Sequence, residues 1–175
     1  MEKAILRNCY NKNMQANYRR ALEEAQKVIK NNFITQPPII AEQIARNYGL
    51  NVKYCVFKPQ HMDIAGFVDS KGEIIVNSAE SNVRKNFTIA HELGHYLLGH
   101  LSDPDYDVLY RQPIGNIPNT PLEQEANCFA ANLLVPENLL KDCISRFPFA
   151  TNQQLANLFG VSVDVIGYRR HDLGI

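Results

Sequence analysis

The chain carries no excess of either charge. Its 175 residues hold eighteen Lys and Arg against eighteen Asp and Glu, and the pI is about 7.0. That balance excludes the general electrostatic field that gathers nucleic acid or anionic membrane, so any DNA contact would need a local patch. It also lacks a run of 18 apolar residues, which excludes a membrane-crossing helix of ordinary length. The first twenty residues are polar and basic without the apolar centre of a signal peptide, so the expected address is the cytoplasm. Cysteine is scarce: Cys9, Cys55, Cys128 and Cys143 are widely spaced and form no C-x-x-C pair, which argues for reduced thiols rather than a disulfide framework. Cys128, between Asn127 and Phe129 in a helical pattern, is expected to pack in a core. No internal repeat or low-complexity stretch interrupts the chain.

What remains is ordinary globular composition, 45% hydrophobic and 21% charged. The length suits one domain, or one domain with a small helical appendage. Ala21, Ala25, Val28 and Ile29 recur at helical spacing and predict an amphipathic helix over 16–31. After Pro37-Pro38, a short helix over 39–45 is stopped by Gly49, and a β-rich run follows over 50–57. Residues 64–68 and 73–77 flank Asp69-Ser70-Lys71-Gly72, a composition that predicts a hairpin. Helices are predicted over 83–98, stopped by Gly99, and over 122–134, ended by Pro136. Between them, residues 102–121 hold too many prolines for regular structure and read as a long irregular loop. Residues 137–170 predict two or three short helices.

The chemistry lies in His91-Glu92-Leu93-Gly94-His95. Residues four apart stack on one helix face, so His91 and His95 can share one cation. Zinc takes nitrogen and oxygen donors in tetrahedral array, and a catalytic zinc keeps one position for water beside three protein ligands. Glu92 lies about 100° around the helix from His91. From there it suits a base that accepts a proton from a zinc-activated water. Two histidines on the flank of an apolar helix, with the Glu in solvent, is the plainer explanation, and the bare pattern arises by chance in about one chain in a few hundred of this size. The strong helix, the β-rich segment before it and the acidic helix after it favour the H-E-x-x-H metallopeptidase pattern.

A third ligand is needed. The metzincin pattern would place Gly at 98 and His at 101, where this chain has Leu98 and Leu101. His100, nine residues from His91, would lie about half a turn away on a continuing helix and is expected to cap the helix end instead. The second helix offers Glu123 or Glu125, and spacing alone leaves the two open. Glu123 stacks with Asn127, which lies where a hydrogen-bond partner for a ligand would be useful. Glu125 stacks with Phe129, and for whichever carboxylate is not the ligand the expected role is a favourable charge in the helix's first turn.

Three stretches, Ile39 to Val52 (IIAEQIARNYGLNV), Phe87 to His95 (FTIAHELGH) and Glu123 to Pro136 (EQEANCFAANLLVP), resemble the ImmA/IrrE family of zinc metallopeptidases. The resemblance implies that His91, His95 and Glu123 bind one Zn2+ per chain and that Glu92 is the catalytic base. It implies an α+β, minimal zincin-like fold, a small three-stranded sheet packed on the H-E-x-x-H helix. Residues 1–136 would form this domain, and 137–175 a helical, helix-turn-helix-like extension packed on it. It further implies a protein substrate, a transcriptional repressor of the kind encoded beside such enzymes on mobile elements or in stress responses. No membrane or nucleic acid is expected as a partner.

Two questions stay open on residues alone. The hairpin could offer an edge to a substrate strand or lie internally over the helix. Tyr96, Tyr106, Tyr110 and His61 are each candidates to stabilise an oxyanion. The rival function is DNA binding, or regulation without cleavage, through the tail: residues 154–166 resemble a helix-turn-helix with Gly160 at the turn and Arg169, Arg170 and His171 beyond it. Zero net charge and Asp164 in the would-be recognition helix speak against that. A calcium loop at Asp103, Asp105 and Asp107 is excluded because Val108 and Ile114 stand where Gly and Glu are required.

Overall fold

The structure, a computed structural model, describes residues 15–58, 64–102 and 120–175. The expectations for Cys9, His61, Tyr106, Tyr110, the acidic triplet at 103–107 and most of the 102–121 loop lie outside those residues. Seven α-helices and one three-stranded sheet make up the described fold: α1 (Tyr18–Asn31), α2 (Ala41–Asn47), β1 (Asn51–Cys55), β2 (Gly66–Val68), β3 (Glu73–Asn77), α3 (Asn82–Leu97), α4 (Pro121–Leu134), α5 (Glu137–Arg146), α6 (Asn152–Phe159) and α7 (Val163–Leu173), with a 3-10 turn at His100–Ser102. This is the expected α+β class with a small zincin-like sheet.

The helices begin where side chains can take up their unpaired N–H groups. Asn17, Ser81, Thr120, Thr151 and Ser162 each accept from the backbone N–H three residues on. Pro121 occupies the first turn of α4, where its missing N–H costs nothing. Gly49 (φ +83) and Gly99 (φ +73) adopt the left-handed backbone that ends α2 and α3.

The sheet order is β1-β3-β2, with β1 parallel to β3 and β2 antiparallel to it. Both flanking strands are shorter than the runs 50–57 and 64–68 suggest, because pairing stops before the apolar composition does. Val56, for example, is largely exposed beyond the last paired residue. In the hairpin turn, Asp69 accepts from Lys71 N–H and Glu73 N–H, and Gly72 takes φ +78. β3 is therefore internal, while β2 is an edge that rests on α3. A Cβ at Gly66 would come within 2.7 Å of both Ile75 O and Thr88 Cγ2, so the strand crosses the helix at a distance only glycine allows.

α3 is the spine, buried through Thr88, Ile89, Ala90, Glu92, Leu93, Gly94 and His95. α4 crosses it at Gly94, where a Cβ would stand 2.9 Å from the Phe129 ring. Small residues on α1 (Ala21, Ala25) bring that helix close to α4 in the same way, and Val28 completes its buried face. The main hydrophobic cluster continues through Leu155, Phe159 and Ile166 of the last two helices. Arg169, buried on α7, donates from Nε to Val135 O at 3.0 Å and so ties the tail to the end of α4.

Candidate metal centre

α3 presents His91 and His95 one turn apart, and α4, held against it by the Gly94–Phe129 contact, brings Glu123 over both. His91 Nε2 lies 3.0 Å from His95 Nε2. Glu123 Oε2 is 3.1 Å from His91 Nε2, and its Oε1 is 3.3 Å from His95 Nε2. Among the described residues these three form the one group of His, Cys, Asp or Glu donors, all within 4.8 Å of one another, that could hold a metal ion. Tetrahedral donors at about 2.05 Å from zinc stand about 3.3 Å apart. The separations found need only a few tenths of an ångström of adjustment, and the nitrogen, nitrogen, oxygen set is one zinc favours.

The charge states also suit a cation. Burial raises the Glu123 carboxyl, but hydrogen bonds from His91 and His95 outweigh it and hold the group well below the usual carboxylate range. His95 is pushed down to about 4, chiefly by burial. An ionised carboxylate and a neutral imidazole are the ligand forms, so neither must lose a proton to take metal. At His91 burial opposes the charged form, but Glu123 and Glu92 prevail and its pKa is raised. Protons therefore compete with metal there.

Glu92 is buried beside the group without joining it. Its carboxylate accepts from the Val68 N–H on β2, and burial pushes its pKa up to about 7. A carboxyl whose folded pKa exceeds its unfolded one holds its proton longer in the native state. Its stabilising contribution is complete below pH 4.5 and is lost as pH rises through about 7. Metal-free Glu92→Gln should therefore be more stable than metal-free wild type at pH 8, by at most about 3 kcal/mol. The gain should vanish near pH 5, and thermal unfolding at the two pH values reads the difference. An equal gain at both would contradict the raised pKa.

Asn127 lies where the helical pattern places it. In the tautomer that leaves His91 Nε2 available, Nδ1–H donates to Asn127 Oδ1 at 3.0 Å. His100 and Glu125 depart from expectation. His100 is not in the ligand group, yet it does not cap α3: Leu98 O is capped by the Arg20 guanidinium from α1. The helix ends at Leu97, Gly99 reverses the chain, and the 3-10 turn folds His100 back until its Nδ1 is 3.0 Å from His95 Nδ1. A 100° step carried past the helix's own stop could not find this. Burial pushes the His100 pKa down, leaving a neutral ring. Glu125 is buried, with Oε2 3.2 Å from His100 Nε2 and Oε1 accepting from Asn17 N–H at 2.8 Å. A lone first-turn charge is therefore not its whole role. Gly99 directly before a histidine was the available signal.

Elsewhere, the Tyr96 ring stands by the hairpin turn, with Cε2 3.9 Å from the position of a Cβ on Gly72. Cys55, Cys128 and Cys143 are free thiols, and burial raises Cys128. No helix among the described residues is long and apolar enough to cross a membrane. In the tail, Gly160 (φ +67) makes the expected turn between α6 and α7. Of the basic residues beyond it, Arg169 is buried and Arg170 bonds Asn152 Oδ1 at 2.9 Å.

Known proteins resemble this chain in sequence and fold. The family model described as the IrrE N-terminal-like domain matches residues 45–171. The radiation response metalloprotease IrrE of Deinococcus radiodurans is 30% identical over 74% of this chain and 45% of its own length. The metallopeptidase ImmA of Bacillus subtilis is 26% identical over 58% of each chain. A solved Mycobacterium tuberculosis transcriptional regulator shares the fold, with TM-score 0.62 and 17% identity over 86% of this chain and 46% of that one. The chain thus spans about half the length of the curated relatives it matches. A match over most of the chain, together with relatives named as metallopeptidases, leads to one assignment: the chain belongs to the IrrE N-terminal-like domain family.

Proposed function

We propose that this chain is a zinc-dependent endopeptidase that cuts a regulatory protein, a transcriptional repressor, in the cytoplasm, with His91, His95 and Glu123 as ligands of one zinc and Glu92 as base. The observation that carries the reading is the convergence of those three donors within 4.8 Å, with buried Glu92 alongside. Bound zinc would supply a Lewis acid that lowers the pKa of a water to about 7 and polarises the scissile carbonyl. The chain's own part is proton transfer and positioning. Glu92 takes the proton of the attacking water and passes it to the leaving amide nitrogen, a task suited to a carboxyl pushed up to about 7. The Val68 N–H faces that carboxylate at the margin of β2 and favours its ionised form.

The same edge suits peptide binding. Ala65 O and Asp69 N–H pair with β3, so by antiparallel alternation Gly66 and Val68 turn their backbone groups outward, the Val68 N–H toward Glu92 and the remainder toward the open edge. An extended substrate strand could add there, next to Glu92. Residues 1–136 would be the peptidase unit and 137–175 a helical extension. DNA binding through that extension is the weaker alternative, because Arg169 and Arg170 are engaged within the fold.

The test is metal analysis of the purified protein beside its incubation with repressors encoded near it, with products read by mass spectrometry. One zinc per chain and a single cut in a repressor are expected. Protein that binds no zinc ends the proposal; zinc binding without cleavage of any repressor removes the substrate.

A further inference from the structure

The geometry points to His100 and Glu125 as positioning residues for His95, acting through a hydrogen-bond chain that ends on the backbone N–H of Asn17. The inference rests on the zinc assignment above and deepens it.

To offer Nε2 to a metal, His95 must carry its proton on Nδ1. That atom is 3.0 Å from His100 Nδ1, which must then accept. His100 consequently carries its own proton on Nε2, where Glu125 Oε2 accepts at 3.2 Å. Glu125 keeps its other oxygen for the Asn17 N–H, at 2.8 Å. Between His95 Nδ1 and the Asn17 N–H, each donor meets an acceptor when the chain runs in this direction, and a cation takes the place of the proton that His95 Nε2 would otherwise direct at Glu123. If His95 held its proton on Nε2, the neutral His100 would need its proton on Nδ1. Its bare Nε2 would then face a carboxylate oxygen, two acceptors in contact. Glu125 thus selects the His95 tautomer that can ligate.

Burial gives the selection force. His95, His100 and Glu125 are 1%, 3% and 6% exposed, so water cannot repair a mismatch cheaply. His91 has a simpler arrangement, one bond to the Asn127 amide. The two zinc histidines are therefore oriented by unlike devices, one a single side chain and the other a relay reaching α1.

The experiment is zinc affinity by chelator competition on full-length protein, with the visible spectrum of the Co2+-substituted form as a second readout. His100→Leu should weaken zinc about 10- to 100-fold and alter the cobalt bands. His100→Gln should recover most of the affinity, because its amide can accept from His95 and donate to Glu125. Packing alone would lower the melting temperature of the leucine variant without this rescue. Folded His100→Leu that binds zinc within about twofold of wild type, with unchanged cobalt bands, overturns the inference. Should that variant not fold, Glu125→Gln decides, since it places an amide N–H or a misaligned oxygen in the relay; unchanged zinc affinity overturns the inference there too. Wild type that fails to bind zinc removes the metal site itself. Zinc bound by wild type, lost in His91→Ala and retained in His100→Leu removes only the relay.

Discussion

Glu92→Gln is expected to fold, to load zinc as wild type does, and to lose about 10²–10⁴-fold in cleavage rate, the usual worth of a positioned general base. Glutamine keeps the shape of the side chain and can still accept from the Val68 N–H, so the β2 margin should hold. What it cannot do is take a proton from water near neutral pH. Because Glu92 is outside the donor group, zinc content should not change. Two results would count against the role. Activity within about tenfold of wild type would mean another group is the base. Loss of zinc together with activity would mean Glu92 belongs among the ligands. Cleavage rate and metal content measured on one preparation separate the cases.

Glu123→Ala should have the largest effect on metal. Zinc bound by four ligands is worth about 10–16 kcal/mol in small sites, hence about 3–4 per ligand, or about 10²–10³-fold in affinity. Alanine also leaves His91 Nε2 and His95 Nε2 only 3.0 Å apart without the carboxylate that now stands beside both. Glu125→Ala should cost less, because it loses a partner of His100 rather than a ligand atom. Chelator competition on both variants ranks them. If Glu125→Ala loses more zinc than Glu123→Ala, the ligand assignment is wrong.

Helical periodicity made α1, α3 and α4 readable within two residues of their ends, since Ala21, Ala25 and Val28, or Phe87, Ala90, Gly94 and Leu97, recur at helical spacing. His91 and His95 were readable for the same local reason. The choice between Glu123 and Glu125 was not, because both lie near the start of α4, and which of them meets the histidines depends on how that helix crosses α3. The Phe129 ring against Gly94 sets that crossing, and it joins residues 35 positions apart. Family resemblance, not spacing, favoured Glu123. Sheet order was hidden likewise: β1 bonds to β3, two strands on, and no periodicity reports a parallel pairing. His100 is outside the ligand group as expected, but its place beneath His95 was hidden, because it depends on the turn that follows Gly99 and not on any helical period.

The matched family segment starts at residue 45, yet α1 lies wholly before it. From there Arg20 caps the carbonyl at the end of the motif helix, and the Asn17 N–H satisfies Glu125. A chain trimmed to the matched segment would keep every metal donor and the base, but two polar groups beneath the histidines would be stripped of their covering helix. The scaffold around these histidines is therefore longer than the matched stretch, and its first splint is a helix that lies wholly before it.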